Sequence, residues 1–376
     1  MDKIKLVDIC RPKQWKTIAT SEFKDYGFPI YGANGKIGFY DKYTHELPTV
    51  LITCRGATCG TINICEPKSY VNGNAMALDN LSKNYSLKYL YYILKARGLN
   101  DIISGSAQPQ ITREGLLKVT IPNPPIENQK KIAQILDDAA TLRNKTEQLI
   151  KEYDALAQSV FLDMFGDPIF NKNKFPIKVL EEFYSSKKDG TKCGPFGGAL
   201  KKEEYTETGF PVWNMDNISK KGELIPDINL WITPEKYKKL ASYSVMNGDI
   251  IISRAGTVGK MCVVYSNFEK SIISTNLIRL RLNSKLLLPL YFISLMNYCK
   301  GRMGRLQTGS DGAFTHMNTG ILNDLKFPYP PIELQQEFVE KITLIEQQKE
   351  LAKQELRESE DLFNCLLQKA FKGELV

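Results

Sequence analysis

The sequence predicts an α+β protein that consists of two similar α/β domains in a pseudo-two-fold arrangement, each followed by a long helix. Two observations lead to this prediction. Short sequence blocks recur in the same order about 200 residues apart, and a pair of prolines in each half is followed by apolar residues at helical spacing. A length of 376 residues is enough for two or three domains, each with its own core.

The recurring blocks include turns, strands and helix entries. Gly27–Ile30 recurs as Gly209–Val212, Thr53–Gly60 as Ile252–Gly259, Asn74–Leu78 as Asn276–Leu280, Tyr89–Leu94 as Leu290–Leu295, Gly105–Ser106 as Gly309–Ser310, and Ile121–Glu127 as Phe327–Glu333. The period is too long for a solenoid. One architecture used twice in a chain predicts a pseudo-two-fold molecule.

Each half begins with short strands and contains one buried helix. The apolar runs 49–53 and 249–253 predict strands, and each leads into a turn that contains arginine and glycine. The segments 89–94 and 290–295 predict buried helices.

A long helix is predicted after each proline pair, because proline is tolerated at the start of a helix. Gly166 and Gly373 are expected to end these helices, which span about 40 residues or roughly 60 Å. The expected stripe of the first helix is Ile132, Ile135, Ala139, Leu142, Thr146, Leu149, Tyr153, Leu156 and Val160, and that of the second is Phe338, Ile342, Ile345, Ala352, Leu356, Phe363 and Leu366. The sustained heptad favours a coiled coil over ordinary core-facing helices.

The predicted boundaries give domains at residues 1–124 and 167–329 and helices at 125–166 and 330–376. The two domains carry net charges of +6 and +8, and the two helices carry −2 and −4. Basic blocks suit a polyanion such as DNA, although a solvated lysine-rich surface would give the same counts.

Several classes of site are not expected. The sequence shows no apolar segment long enough to span a membrane and no secretory signal. Its eight cysteines are expected to be buried free thiols in a reducing cytoplasm. Two histidines make zinc or catalytic-histidine chemistry improbable. Phosphate-loop, nucleophile-elbow and metalloprotease motifs are missing, and Asn123-Pro124-Pro125 is followed by isoleucine instead of the aromatic ring that amino-methyltransferases stack on a flipped base.

The candidate DNA-contacting residues lie in the turns, the loops and two basic, aromatic-containing stretches. Arginine and hydroxyl groups suit phosphate or base contacts, and glutamine can pair with adenine. The alternative for each is a structural turn or an exposed loop without a role. The set is Tyr31, Asn34, Lys36, Arg55, Thr58, Gln108, Gln110, Arg113, Lys192, Trp213, Asn214, Arg254, Thr257, Ser310, Thr315 and His316.

The chain resembles the specificity subunit of type I restriction–modification systems. The resemblance covers essentially the whole chain, and its most specific parts are PPIENQKKIAQIL at 124–136, PPIELQQEFVEKI at 330–342 and LLQKAFKGEL at 366–375. It implies two target-recognition domains, each of which reads half of a bipartite asymmetric DNA site, and two long helices that form an antiparallel coiled coil and set the half-site spacing.

The resemblance also implies partners. Two methyltransferase subunits would dock on the helices, and two motor-nuclease subunits would complete the enzyme. S-adenosylmethionine would bind the methyltransferase, so this chain is expected to be non-catalytic and to hold no cofactor or metal. It is expected in the cytoplasm, without membrane contact.

Three other functions remain open from the sequence. One alternative is a recognition subunit of a related modification-only or phage-exclusion system, which shares the chemistry and differs in its partners. A DNA methyltransferase or nuclease would need S-adenosylmethionine binding or a carboxylate site of its own. A coiled-coil scaffold without a DNA role would leave the charge segregation unexplained.

Overall fold

A computed structural model of the protein describes residues 2–33, 35–105, 108–219, 222–254, 258–299 and 317–375. The chain forms two compact units: unit 1 comprises Met1–Ile150 with Leu351–Val376, and unit 2 comprises Lys151–Glu350. Both units therefore contain part of each long helix. Among the described residues, no helix has the length and apolar composition that a membrane crossing requires.

Unit 1 contains nine strands, three short or medium helices and parts of both long helices, counted over the described residues. The elements are β1 (Lys3–Lys5), α1 (Leu6–Ile9), β2 (Arg11–Gln14), β3 (Phe28–Gly32), β4 (Gly35–Tyr40), β5 (Val50–Thr53), β6 (Ile62–Ile64), β7 (Tyr70–Val71), β8 (Ala75–Asp79), α2 (Leu87–Arg97), α3 (Arg113–Leu116), β9 (Thr120–Pro122) and the long helix α4 (Ile126–Phe165), which continues into unit 2.

Unit 2 follows the same plan. Its elements are β10 (Ile177–Val179), β11 (Thr191–Cys193), β12 (Phe210–Trp213), β13 (Trp231–Ile232), α5 (Pro234–Lys239), β14 (Ser244–Val245), β15 (Ile250–Ser253), β16 (Met261–Val263), β17 (Ser271–Ile273), β18 (Leu277–Leu280), α6 (Pro289–Tyr298), α7 (Thr319–Asn323), β19 (Lys326–Pro328) and the long helix α8 (Ile332–Lys372), which continues into unit 1.

Sheet topology confirms the internal duplication. The antiparallel sheet β2-β8-β5-β6 of unit 1 corresponds to β11-β18-β15-β16 of unit 2, and the pair β1-β9 corresponds to β10-β19. Each unit also has one parallel pair, β3-β7 or β12-β17. The predicted mixed content of helix and sheet in two repeated domains is therefore confirmed.

The predicted strands and buried helices occur where the sequence places them. The runs 49–53 and 249–253 form β5 and β15, whose residues are all buried. The apolar segments 89–94 and 290–295 lie within α2 and α6 and pack into the main core of each unit. The long helices end before Gly166 and Gly373, whose φ angles of 68° and 79° belong to the left-handed region that glycine tolerates.

A buried glutamine joins each long helix to the domain in front of it. Gln129, only 1% exposed, accepts a hydrogen bond from Ser86 N at 2.9 Å and donates to Pro124 O at 2.9 Å. Gln335, 0% exposed, accepts from Leu288 N at 3.0 Å and donates to Pro330 O at 3.0 Å. The glutamine thus links the proline segment to the first turn of α2 or α6. This contact explains the repeated Pro-Pro-Ile-Glu-x-Gln sequence.

The buried stripe of α4 differs from the expected one. The expected positions Leu142, Leu149 and Leu156 are 43%, 37% and 46% exposed. The expected positions Ile135 and Val160 are half-buried, but the continuous buried or half-buried stripe is Ile132, Leu136, Ala139, Arg143, Thr146, Ile150, Tyr153, Ala157 and Phe161. On a helix, positions i+3 and i+4 both neighbour position i. Apolar spacing alone therefore does not determine which of two adjacent rows of residues faces the core.

The expected stripe of α8 is buried or half-buried throughout, and it includes two polar residues that the sequence did not indicate, Lys349 and Ser359. Lys349 Nζ lies 2.8 Å from Asp154 and 3.0 Å from Glu346, and 3.7 Å from Glu223. These carboxylates compensate the burial of the ammonium group.

Candidate nucleic-acid interface

Two loops that are distant in sequence are joined in unit 1. Gly56 N, in the turn after β5, donates a hydrogen bond to Pro109 O at 3.2 Å, and Ile111 N donates to Cys54 O at 3.0 Å. Within the second loop, Ser104 and Gln110 exchange backbone hydrogen bonds of 2.9 and 2.8 Å. The turn that carries Arg55 and the loop that carries Gln110 therefore form one surface.

A cleft of about 400 Å³ lies on this surface, and we call it the basic cleft. Three predicted residues line it, Arg55, Gln110 and Arg113. Strand β2 supplies three polar residues that the sequence analysis missed: Arg11, Lys13 and Gln14. Their only signal in the sequence was the positive charge of residues 1–124.

The cations of the basic cleft are available to a ligand. Arg11, Arg55 and Arg113 are exposed and form no ion pair within the part of the chain that the structure describes. Lys13 Nζ lies 3.5 Å from the centroid of the Trp15 ring, which holds the ammonium group by a cation–π contact.

Two further groups give the basic cleft a fixed polar lining. Gln14 Nε2 donates to Gly73 O at 2.6 Å, which fixes its amide. Hydrogen bonds from its own backbone N–H and from the Thr112 hydroxyl hold the pKa of Glu114 below its usual value, so this side chain is an anionic acceptor. The basic cleft thus presents several donors and one carboxylate.

The other predicted residues of unit 1 do not line the basic cleft. Tyr31 is buried and its hydroxyl lies 3.2 Å from Glu66 Oε1, and burial raises its pKa. Lys36 Nζ lies 3.8 Å from the same carboxylate. Thr58 and Gln108 are exposed, and Thr58 donates to Ala33 O at 3.3 Å. Tyr31 is therefore a core residue, which corrects its assignment as a DNA contact.

The predicted position Asn34 of unit 1 and the predicted positions Thr257, Ser310, Thr315 and His316 of unit 2 lie outside the described residues.

The turn after β5 in unit 1 closes in the same way as the turn after β15 in unit 2. Gly60 N donates to Thr53 O at 2.8 Å, and Gly259 N donates to Ser253 O at 2.9 Å. Thr53 therefore corresponds to Ser253. The turn of unit 2 is one residue shorter.

The two arginines consequently do not correspond. Cys54 N donates to Asn74 O and Arg254 N donates to Asn276 O, both at 3.0 Å. Arg254 takes the place of Cys54, so the expected alignment with Arg55 is wrong by one residue.

Arg254 is half-buried and stacks on an exposed aromatic ring. Its guanidinium carbon lies 4.5 Å from the centroid of Phe196. The Nη1 atom is buried and has no hydrogen-bond partner among the described residues. This arrangement holds the guanidinium group against the ring.

Trp213 is not a contact residue. Its side chain is 0% exposed within a hydrophobic cluster that includes Ile218, Val245 and Ile273. Burial in the core excludes a direct contact with a duplex, which corrects the prediction. The neighbouring Asn214 is half-buried and accepts a hydrogen bond from Asp216 N at 2.6 Å, which caps a short turn.

A buried ion network supports the unit 2 sheet. Arg279 of β18 and Arg281, directly after this strand, both bind Asp189. Arg281 also forms a bidentate pair with Asp249 at 2.8 and 2.7 Å. Burial opposes ionisation of Asp189, but the two guanidinium groups outweigh it and hold the pKa of the carboxyl below its usual value. The network fixes the 186–190 loop directly before β11, which carries the predicted residue Lys192. Lys192 Nζ itself lies 5.1 Å from the centroid of Tyr243.

Comparison with known proteins identifies the family. The model of the type I restriction modification DNA specificity domain matches residues 1–152 and 196–360. The chain belongs to this family.

Relatives of the specificity family extend along most of the chain. The MjaVIII specificity subunit of Methanocaldococcus jannaschii is 22% identical over 323 residues, which cover 83% of this chain and 75% of the relative. The S subunit of M. genitalium, 18% identical, has a similar fold with a TM-score of 0.65 over 98% of this chain and 96% of that subunit. A structure from work on complex assembly in a type I system, 16% identical, has a TM-score of 0.58 over 100% of this chain and 98% of that one.

Specificity subunits are generally non-catalytic and cofactor-free. Within the described ranges, we find no group of three or more His, Cys, Asp or Glu side chains that could hold a metal ion.

Proposed function

We propose that the chain is the DNA-specificity subunit of a type I restriction–modification enzyme and that each unit reads one half of a bipartite, asymmetric site. The observation that carries this proposal is one architecture that occurs twice with different side chains in the turns after β5 and β15. Arg55 is exposed beside Gln110 and Arg113 in unit 1, whereas Arg254 stacks on Phe196 in unit 2. Different base-contacting side chains on the same fold would recognise different half-sites.

The basic cleft is proposed as the reading surface of unit 1. Arginine forms bidentate hydrogen bonds with guanine, and glutamine does so with adenine. Arg11 and Lys13 would bind phosphates and set the register on the duplex. Glu114 suits the amino group of cytosine, which is a donor.

The surface around Arg254 is proposed as the reading surface of unit 2. The stack on Phe196 would hold the guanidinium group in position for a base or a phosphate. Lys192 and Lys201 would add phosphate contacts in the basic stretch 187–202.

The long helices are proposed to form an antiparallel coiled coil that sets the distance between half-sites. Contacts within unit 2 support this arrangement: Phe338 near the start of α8 packs on Phe161 and Phe165 near the end of α4, while Lys349 meets Asp154 further back. Two linked readers gain effective concentration only when the spacing of the half-sites matches the linker.

The exposed leucines of α4 are proposed as part of the docking surface for two methyltransferase subunits. Leu142, Leu149 and Leu156 are spaced by seven residues and so share one helix face. S-adenosylmethionine would bind those subunits, and two motor-nuclease subunits would complete the enzyme.

An adenine-methylation map tests the proposal. Cellular DNA would be sequenced with and without this gene, co-expressed with the neighbouring methyltransferase gene. We expect one bipartite motif with a fixed gap that appears only when the gene is present. Methylation that does not depend on the gene, or a motif without a gap, would contradict the proposal.

A further inference from the structure

A second and larger cleft, of about 870 Å³, lies in unit 2, and we call it the helix cleft. It is lined by residues of β16 and α6 and by the parts of α4 and α8 that belong to unit 2. The proposed DNA-reading surfaces do not use it.

The internal duplication identifies what occupies the equivalent place in unit 1. Tyr89 and Tyr291 both donate their hydroxyl hydrogen to a proline carbonyl, of Pro122 and Pro328, at 3.4 and 3.5 Å. Tyr89 therefore corresponds to Tyr291, and Tyr92, three residues further along α2, corresponds to Ser294 of α6.

The buried glutamines give the same correspondence for the long helices. Because Gln129 matches Gln335 and both helices are continuous, Ala157 of α4 corresponds to Phe363 of α8, and Arg143 corresponds to Lys349. Asp137 corresponds in the same way to Thr343.

In unit 1 these positions hold an aromatic cluster. The rings of Tyr92 and Phe363 lie 6.1 Å apart, the guanidinium carbon of Arg143 lies 5.1 Å from the Phe363 ring, and the Tyr92 hydroxyl donates to Asp137 at 2.7 Å. Two aromatic side chains thus fill the space between the helices.

In unit 2 the two aromatic residues are replaced by small ones. The four counterparts line the helix cleft: Ser294, Ala157, Lys349 and Thr343. The helix cleft therefore lies where unit 1 places two aromatic rings of its own. Its apolar wall includes Phe161, whose ring stacks on Tyr298 at 5.4 Å.

Two hydroxyl groups of the helix cleft can accept a hydrogen bond from a ligand. The Ser294 hydroxyl already donates to Leu290 O at 2.9 Å, and the Thr343 hydroxyl donates to Val339 O at 2.6 Å. Each hydroxyl oxygen retains acceptor capacity only. A phenol or an indole N–H meets this requirement, whereas a phenyl ring lacks the donor.

We propose that the helix cleft binds a tyrosine or tryptophan side chain of one methyltransferase subunit. This inference rests on the proposed function and adds a specific anchor to it. Both the helix cleft and the proposed docking surface use α4, where Ala157 follows Leu156 on the adjacent side of the helix. The acidic charge of the long helices, −2 and −4, suits a basic segment around the aromatic residue. Buried aromatic anchors carry much of the binding energy of protein interfaces.

The test fills the helix cleft with the side chains of the other unit. The double variant Ala157→Phe and Ser294→Tyr copies Phe363 and Tyr92. The matched control carries the same two changes at the exposed positions Ala241 and Ser242. Each full-length chain would be titrated with N-acetyl-L-tyrosinamide and N-acetyl-L-tryptophanamide. Native mass spectrometry would then count methyltransferase subunits per chain after co-expression.

We expect the wild type and the control to bind the probes and two methyltransferase subunits. The affinity of the filled variant for the probes should be at least about tenfold lower, and this variant should retain one methyltransferase subunit. Failure of the wild type to bind either probe, or two subunits retained by the filled variant, overturns the proposal. If the probes bind but the wild type captures no methyltransferase, the docking role in the proposed function fails and this partner assignment fails with it.

A second variant covers the case in which the filled chain does not fold. Thr343→Val removes the acceptor without adding volume, and it should weaken binding of both amides severalfold while the melting temperature stays close to that of the wild type. Unchanged affinity in this variant would contradict the predicted hydrogen bond.

Discussion

Single side chains determine which candidate contacts are available to a ligand. Arg55 and Arg254 looked equivalent in sequence, yet a turn that is one residue shorter places Arg254 at the position of Cys54. Arg55 is exposed in the basic cleft, and Arg254 is half-buried on Phe196. Exposure separates a contact residue from a core residue, as Trp213 illustrates.

Arg55→Ala should weaken recognition of the half-site that unit 1 reads. Loss of a bidentate base contact costs about 1–3 kcal/mol and relaxes specificity at one base. The measurement is binding of duplexes that differ at single positions of one half-site. Lys83→Ala, which removes an exposed charge away from the basic cleft, serves as the control. Equal losses in both variants would mean that Arg55 contributes only general charge.

Asp189→Asn should remove part of the acid sensitivity of unit 2. The pKa of Asp189 is lower in the folded chain than in the unfolded one, so its stabilising effect is present above the unfolded pKa and is lost as pH falls through the folded value. The melting temperature of the wild type should therefore fall below roughly pH 4.

The variant should be less stable at neutral pH and should show a flatter decline in this acid range. Asp227→Asn, at an exposed carboxylate, is the control. An unchanged pH profile in Asp189→Asn would show that the network does not stabilise the sheet.

At the scale of elements, the junction between domain and helix is the repeated feature. Gln129 and Gln335 each satisfy a backbone N–H at the start of a domain helix and a proline carbonyl before a long helix. Rotation of the long helix against its domain would break these hydrogen bonds. The glutamine therefore fixes the direction in which the helix leaves the domain.

Gln129→Leu and Gln335→Leu should each lower the free energy of unfolding by about 1–3 kcal/mol, because buried polar backbone groups lose their partners. The methylated motif should also tolerate more than one gap length. Both quantities can be measured, by chemical denaturation and by methylation mapping. Gln134→Leu, at an exposed position of α4, is the control. A single, unchanged gap in the destabilised variants would limit the glutamine to a structural role.

At the scale of the whole molecule, the proposed function depends on the length of the helices. Helices of 40 and 41 residues follow the two domains, and each unit contains part of both. A rigid spacer converts helix length into a distance along the duplex.

Deletion of four residues from the middle of each long helix should shorten the recognised gap by one or two base pairs. The deletion removes about 6 Å of helix, and base pairs are spaced by about 3.4 Å. Replacement of the same residues by alanine should leave the gap unchanged. Methylation mapping would decide, and a constant gap after deletion would contradict the spacer role.

The sequence by itself determined the duplication, the long helices and the resemblance, because these depend on patterns that local chemistry enforces. Repeated glycines, proline pairs and apolar runs fix strands and helix entries wherever they occur. Arg55, Gln110 and Arg113 could also be selected as candidates, because the loops that carry them have counterparts in the second half of the sequence.

Only the tertiary structure decided which side of α4 is buried, where Arg254 lies, and that β2 contributes Arg11, Lys13 and Gln14. These features depend on contacts between residues that are distant in sequence, and apolar spacing or charge counts do not encode them. The helix cleft belongs to the same class, because the loss of two rings is visible only when the two units are compared position by position.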